Sequence, residues 1–359
     1  MSMSDATTIE WTDATWNPIT GCTIVDAGCT NCYAMALAGS RLRNHPSRAG
    51  LTRVTGGRAK WTGEVRLNEQ WLDQPLKWTR PRMIFVCAHG DLFHESVPDE
   101  WIDRVFAIMA LAPQHTFQVL TKRPDRAREY LGANPGIRIR TQMASIGGPL
   151  PVIEMDWPLP NVWLGTSASD QASADKRIPE LLACPAAVRF VSLEPLLGPI
   201  DLTRVGTIDS VRSAFPALVR RLDQHMRPHT INGAQIEALG SQFQATTYYQ
   251  TPDHMGGFEV GSRYYPRLDW VIVGGESGTH ARPMHPDWPR GVRDQCLAAG
   301  VAFFFKQWGE WEADQIGPED TRSISHPPGH VIFRKVGKKH NGRRLDGRTW
   351  DQMPGVNHV

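Results

Sequence analysis

No stretch of this chain stays apolar for the twenty or so residues that cross a bilayer, which sets aside a helical membrane span. The opening residues, Met1-Ser2-Met3-Ser4-Asp5, have neither the basic nor the apolar region of a secretory signal. A cytoplasmic location is therefore expected, where thiols stay reduced and disulfides do not carry a fold. A surplus of charge is missing as well. The 39 Lys and Arg residues face 37 Asp and Glu residues, for a formal charge of +2, so bulk charge does not announce a nucleic-acid binder. No repeat of fixed period and no low-complexity tract is present, which sets aside solenoids and polymer-like segments. What remains is a chain of 359 residues, 41% hydrophobic, enough for one large domain or two ordinary ones with a real core.

Short apolar runs alternate with helical patterns. Met83 to Cys87, Phe117 to Leu120, Val162 to Gly165, Val188 to Val191, Trp270 to Val273 and Val301 to Phe305 read as strands buried on both faces. A first strand precedes them after Trp11. Between them, Pro98 opens a helix with Trp101, Val105, Ile108 and Met109 on one face, and Asp125–Leu131, Ala172–Cys184 and Trp288–Ala299 read as further helices. Gly132 to Pro160 is rich in Gly and Pro and reads as a long excursion. This alternation predicts an α/β fold with a parallel sheet. About seven strands suit a partial (β/α) TIM-like barrel. Polar residues follow the strand ends repeatedly, and in such a barrel they gather on one rim. The expected divisions are 1–201 and 269–316 for the barrel, 202–268 for an insertion, and 317–359 for a basic C-terminal extension. The insertion holds Tyr248, Tyr249, Tyr264 and Tyr265, and its stretch Ser210–Met226 has a helical composition.

The densest chemistry lies near the start. Cys22, Cys29 and Cys32 sit on one loop, six and then two residues apart. Three thiols leave one over if a disulfide forms, whereas three thiolates can converge on a metal. Soft sulfur suits zinc or an iron–sulfur cluster. Zinc would want a fourth ligand, with His45 as a candidate. A cubane held by three cysteines leaves one iron open. Cys87, Cys184 and Cys296 are isolated, and the first two lie beside apolar residues that suit inert thiols.

The loop resembles the cluster loop of the radical S-adenosylmethionine (SAM) superfamily, with a first gap of six where three is usual. Its Cys32-Tyr33 ending is similar to that of spore photoproduct lyase. Asp91-Leu92-Phe93, Leu120-Thr121-Lys122-Arg123-Pro124, Ser192-Leu193-Glu194-Pro195-Leu196, Gly274-Gly275-Glu276-Ser277-Gly278 and Phe305-Lys306-Gln307-Trp308-Gly309 resemble pieces of a phage- and mobile-element-associated three-cysteine family. That resemblance implies a radical-SAM barrel. Cys22, Cys29 and Cys32 would hold a [4Fe-4S] cluster that binds SAM. An electron donor protein is implied, with DNA or a nucleotide as substrate, as in photoproduct repair.

Gly90 and Asp91 would then stand where the superfamily receives the SAM amino group, with Tyr33, Lys122, Thr166, Ser167 and Glu194 as further cofactor contacts. Arg123, Glu276 and Lys306 are candidates for substrate contact. Several have an ordinary alternative: a helix cap or turn for Asp91, Thr166 and Ser167, a salt bridge for Glu194, a surface pair for Lys122 and Arg123. The basic run from Arg334 to Arg344 would track phosphates or be solvated surface. A reading from another class stays open: a zinc-stapled, non-catalytic nucleic-acid-binding module.

Overall fold

Each apolar run becomes a strand, and the strands assemble in chain order. The computed structural model describes residues 7–147, 156–205, 246–252, 258–264, 267–315 and 331–355. Its main sheet runs β1 (Ala14–Trp16), β2 (Met83–Val86), β3 (Thr116–Thr121), β4 (Val162–Ser167), β5 (Val188–Leu193), β6 (Trp270–Gly274) and β7 (Ala302–Gln307). Every neighbouring pair is parallel. Parallel neighbours need crossovers, and helices supply most of them. A short α1 (Tyr33–Ala38) follows the cysteine loop. Then come α2 (Asp99–Leu111), α3 (Pro124–Gly132), α4 (Gly136–Ser145), α5 (Gln171–Leu182) and α6 (Asp287–Ala299). None of the described helices is long and apolar enough to cross a membrane.

Strand alternation divides the apolar residues into two cores. Ile84, Val86, Phe117, Val119, Val191, Val271 and Phe303 face the helices and join the larger cluster. Phe85, Phe190, Trp270, Ile272 and Phe304 face the other way and gather around Trp11. The Trp11 ring lies 4.8 Å from Phe85, 6.2 Å from Phe190 and 6.1 Å from Trp270. One ring can meet β2, β5 and β6 together only if the sheet curls around it. The sheet is therefore a curled half-barrel, compatible with the expected partial TIM-like barrel.

Two regions depart from the sequence reading. The Gly- and Pro-rich excursion contains α4, whose buried Ile139 and Met143 stand one turn apart; composition masked this periodicity. The basic extension is built into the fold. Phe305 N–H donates to the Trp350 carbonyl at 2.9 Å and Gln352 N–H to that of Phe303 at 3.2 Å. Asp351 bridges Phe304 in antiparallel fashion, so the tail covers the outer edge of β7, which would otherwise be open for pairing. Among the described residues its cations are mostly engaged: Lys338 with Glu10 at 3.1 Å, Arg343 with Asp351, and Arg348 over the Trp350 ring at 3.8 Å. Within the expected insertion, Thr246–Pro252 and Phe258–Tyr264 form an antiparallel hairpin that includes Tyr248, Tyr249 and Tyr264. Tyr265 and Ser210–Met226 lie outside the described residues.

Candidate active site

The cysteine loop leaves the C-terminal end of β1 under tight steric control. Gly21 forms a parallel bridge with Gly90 beyond the end of β2. Its φ of +100° suits only glycine, and a Cβ there would lie 2.1 Å from the Glu64 carbonyl oxygen. Asp26 then caps the 3₁₀ turn Ala27–Cys29, its carboxylate accepting from Cys29 N–H at 3.2 Å. The same carboxylate pairs with Lys122 at 3.3 Å and Arg177 at 2.6 Å. Burial would raise the Asp26 carboxyl, but these two cations outweigh it and hold the group below its ordinary value. A Cβ on Gly28 would meet Ser169 Oγ at 2.2 Å and Lys122 Nζ at 2.9 Å. The loop thus lies hard against the ends of β3 and β4.

Cys22, Cys29 and Cys32 all border one cavity of about 590 Å³, a size ordinary for small-molecule sites. Tyr33, Gly90, Asp91, Lys122, Arg123, Ser167, Glu194, Glu276 and Lys306 border it too. Trp11 and Phe85 reach it from the barrel interior. Thr166 is the exception and corrects the expectation of a cofactor contact. It is fully buried, and its hydroxyl donates to the Thr121 carbonyl at 2.9 Å. The strand alternation that turns Ser167 toward the cavity turns Thr166 away.

Several expected ligand contacts serve as struts. Asp91 accepts from Phe93 N–H at 3.0 Å, Thr121 Oγ1 at 2.7 Å, Lys122 N–H at 3.1 Å and Arg123 Nη1 at 3.0 Å. A carboxylate has about four acceptor positions, so protein donors saturate it. Arg123 continues to Glu95 at 2.6 Å, to the Thr23 hydroxyl and to Cys22 Sγ at 3.7 Å. It therefore ties β3 to the first cysteine. Glu276 takes a forked pair of bonds from Arg282, at 2.6 and 2.9 Å, and one from Asn31 Nδ2 at 3.0 Å. Arg282 also donates to the Ala27 carbonyl at 2.9 Å, clamping the loop from the β6 side. Glu194 and Lys306 pair across the rim at 2.9 Å. Tyr33 donates its hydroxyl to the Ala88 carbonyl at 2.6 Å.

Sequence reasoning missed Asp26, Arg177, Asn31, Arg282 and Ser192. Asp26 alone carried a signal, as the one carboxylate between Cys22 and Cys29. Ser192 is buried at the cavity. Cys87 also borders the cavity, with φ +57°, a left-handed conformation that is costly for a side chain bearing Cβ.

Cys22, Cys29 and Cys32 are three soft donors from one loop that border one cavity. Among the described residues, no three His, Cys, Asp or Glu side chains form a metal-holding group, so the thiols share a cavity without forming a coordination sphere. Burial, with Asp91 adding to it, pushes the Cys22 thiol up to about 12, and burial raises Cys32. His45, the candidate fourth zinc ligand, does not border the cavity. Its ring stacks on Trp71 at 5.6 Å and its Nδ1 shares a hydrogen bond with Ser47 at 2.7 Å.

Residues 6–354 match a family described as protein of unknown function (DUF5131), and the chain belongs to that family. Neither a curated protein nor a solved structure matches it.

Proposed function

We propose that this chain is a radical-SAM enzyme acting at the C-terminal rim of its half-barrel. The observation that carries the reading is the convergence of Cys22, Cys29 and Cys32 on the cavity that also receives the polar ends of β2 to β7. When bound, a [4Fe-4S] cluster and SAM would supply a carbon radical able to abstract a hydrogen atom. Cys22, Cys29 and Cys32 would hold the cluster as thiolates, giving up their protons on loading. Asp26, with Lys122 and Arg177, fixes the loop that presents Cys29. The Glu276–Arg282 fork and Arg123 brace the same loop from its two sides. Ser167, Ser192 and the Glu194–Lys306 pair offer hydroxyl and charged contacts to a polar ligand. Trp11 and Phe85 give the cavity an apolar floor that limits water.

The resemblance of the Cys32-Tyr33 ending to that of spore photoproduct lyase supports nucleic acid as the first substrate class, with an electron donor protein as the proposed partner. The zinc-stapled alternative loses its candidate fourth ligand, since His45 is turned to Trp71 and Ser47. Anaerobic loading with iron and sulfide tests the metal assignment. The loaded protein should be brown and hold about four irons per chain, as a cubane requires, and Cys29→Ala should remain colourless. Colourless protein carrying stoichiometric zinc would contradict the proposal.

A further inference from the structure

Charge is spread unevenly over this nearly neutral chain. From Ala27 to Gly63 the sequence has Arg41, Arg43, Arg48, Arg53, Arg58 and Lys60 and no Asp or Glu. The segment forms α1, the loop after it, and an antiparallel hairpin of Thr52–Thr55 with Arg58–Trp61. It borders the cavity through Cys32, Tyr33, Leu37, Arg41 and Trp61. Among the described residues none of its six cations forms an ion pair. The other cations at the cavity are all paired: Lys122 with Asp26, Arg123 with Asp91, Lys306 with Glu194, and Lys338 with Glu10.

The hairpin register sharpens the contrast. Arg53 lies directly opposite Lys60, and Thr55 opposite Arg58. Strand alternation therefore puts Arg53, Arg58 and Lys60 on one face. Like charges directly opposed weaken a hairpin, so this face is poor design for folding alone and good design for an anion. The opposite face carries Trp61, which packs against Ala34, Met35 and Ala38 of α1. Arg41 is exposed at the cavity. Behind it, Arg48 is only 2% exposed. Arg48 Nη1 donates to Ser47 Oγ at 2.6 Å and its Nε to His89 Nδ1 at 3.4 Å, with no carboxylate partner among the described residues. A buried guanidinium without a counter-charge is costly, and a bound anion nearby would offset that cost.

We propose that this acid-free arc is the docking surface for a nucleic-acid backbone, with phosphates on the Arg53/Arg58/Lys60 face and one at Arg41 beside the cavity. The cavity lies next to that path and has an aromatic floor, which suits a base taken out of its stack. The inference deepens the proposed function by naming what reaches the cavity. Its test reads binding by the metal-free chain, so its failure and that of the cluster assignment are separable.

The experiment is fluorescence anisotropy of a labelled single-stranded DNA oligonucleotide with the full, metal-free chain over a potassium chloride series. Each phosphate contact on a single strand contributes about 0.7 to the slope of log affinity against log salt. The variant R53Q/R58Q/K60Q should therefore lower that slope by about two and weaken binding tenfold or more at low salt. R41Q should weaken it several-fold. K339Q/R344Q, in the C-terminal tail, should leave affinity and slope unchanged. Circular dichroism should show the variants folded, as expected for replacements on an outer hairpin. The proposal is overturned if the wild-type chain does not bind. It is also overturned if the triple variant keeps the wild-type affinity and slope, or if the tail variant is the one that loses binding. Displacement of the DNA by equimolar poly-glutamate would mark the arc as a site for acidic protein and overturn it too.

Discussion

The strand-end network and the acid-free arc meet at the same cavity but treat charge in opposite ways. In the network each cation faces a carboxylate: Arg123 with Asp91, Lys306 with Glu194, Arg282 with Glu276. In the arc, among the described residues, the hydrogen bonds of Arg48 go to Ser47 and His89, and Arg41 has no ion pair. Paired charges hold a loop in place; unpaired ones remain available to a ligand. The C-terminal tail, equally basic to the eye, belongs with the network, because acids and aromatic rings lie within its reach.

The largest expected effect comes from breaking a buried pair. Arg123→Met strands Asp91, a carboxylate buried at 4% exposure, and removes the tie to Cys22. Loss of one partner from such a pair costs about 3–5 kcal/mol, which urea denaturation should register. An unchanged midpoint would show that the network is not structural.

A pH dependence follows from the arc side. Burial, then Arg48 and Arg41, bring the His89 imidazole down to about 3 from its ordinary 6.5. The unfolded chain takes up that proton first. Stability is therefore full above about 6.5 and falls as pH drops toward about 3. His94 and His115, lowered chiefly by burial, act in the same direction. Denaturation midpoints across this range should fall with acid, and Arg48→Met should lessen the fall by removing one of the charges on His89.

The smallest effect is expected from Arg48→Met at neutral pH. Its guanidinium has no carboxylate partner among the described residues, so replacing it with an apolar side chain should change stability by no more than about 1 kcal/mol. A loss as large as that of Arg123→Met would abolish the distinction between the two regions.

Much of this was legible beforehand. Six apolar runs marked β2 to β7, because strands covered on both faces read as continuous apolar segments. Polar residues after each run marked the rim, and twelve of the named candidates do border the cavity. Thr166 was misread because sequence shows that a residue ends a strand but not which face it takes. The pairings of the struts were invisible for another reason. Asp26 meets Arg177, and Glu276 meets Asn31, across separations that only the curl of the sheet removes. The tail misled because a run of Lys and Arg looks the same whether solvated or locked onto Trp350 and Asp351. Conversely, the lack of acids from Ala27 to Gly63 was plain in the sequence, but its meaning depended on the hairpin register.

In the proposed function, three early cysteines hold a reactive centre at this rim. The most direct test is to incubate the anaerobically loaded protein with SAM and dithionite and assay 5'-deoxyadenosine by chromatography. Formation by the wild-type chain, abolished by Cys29→Ala, is the predicted result; no 5'-deoxyadenosine from protein shown to carry the cluster would contradict it.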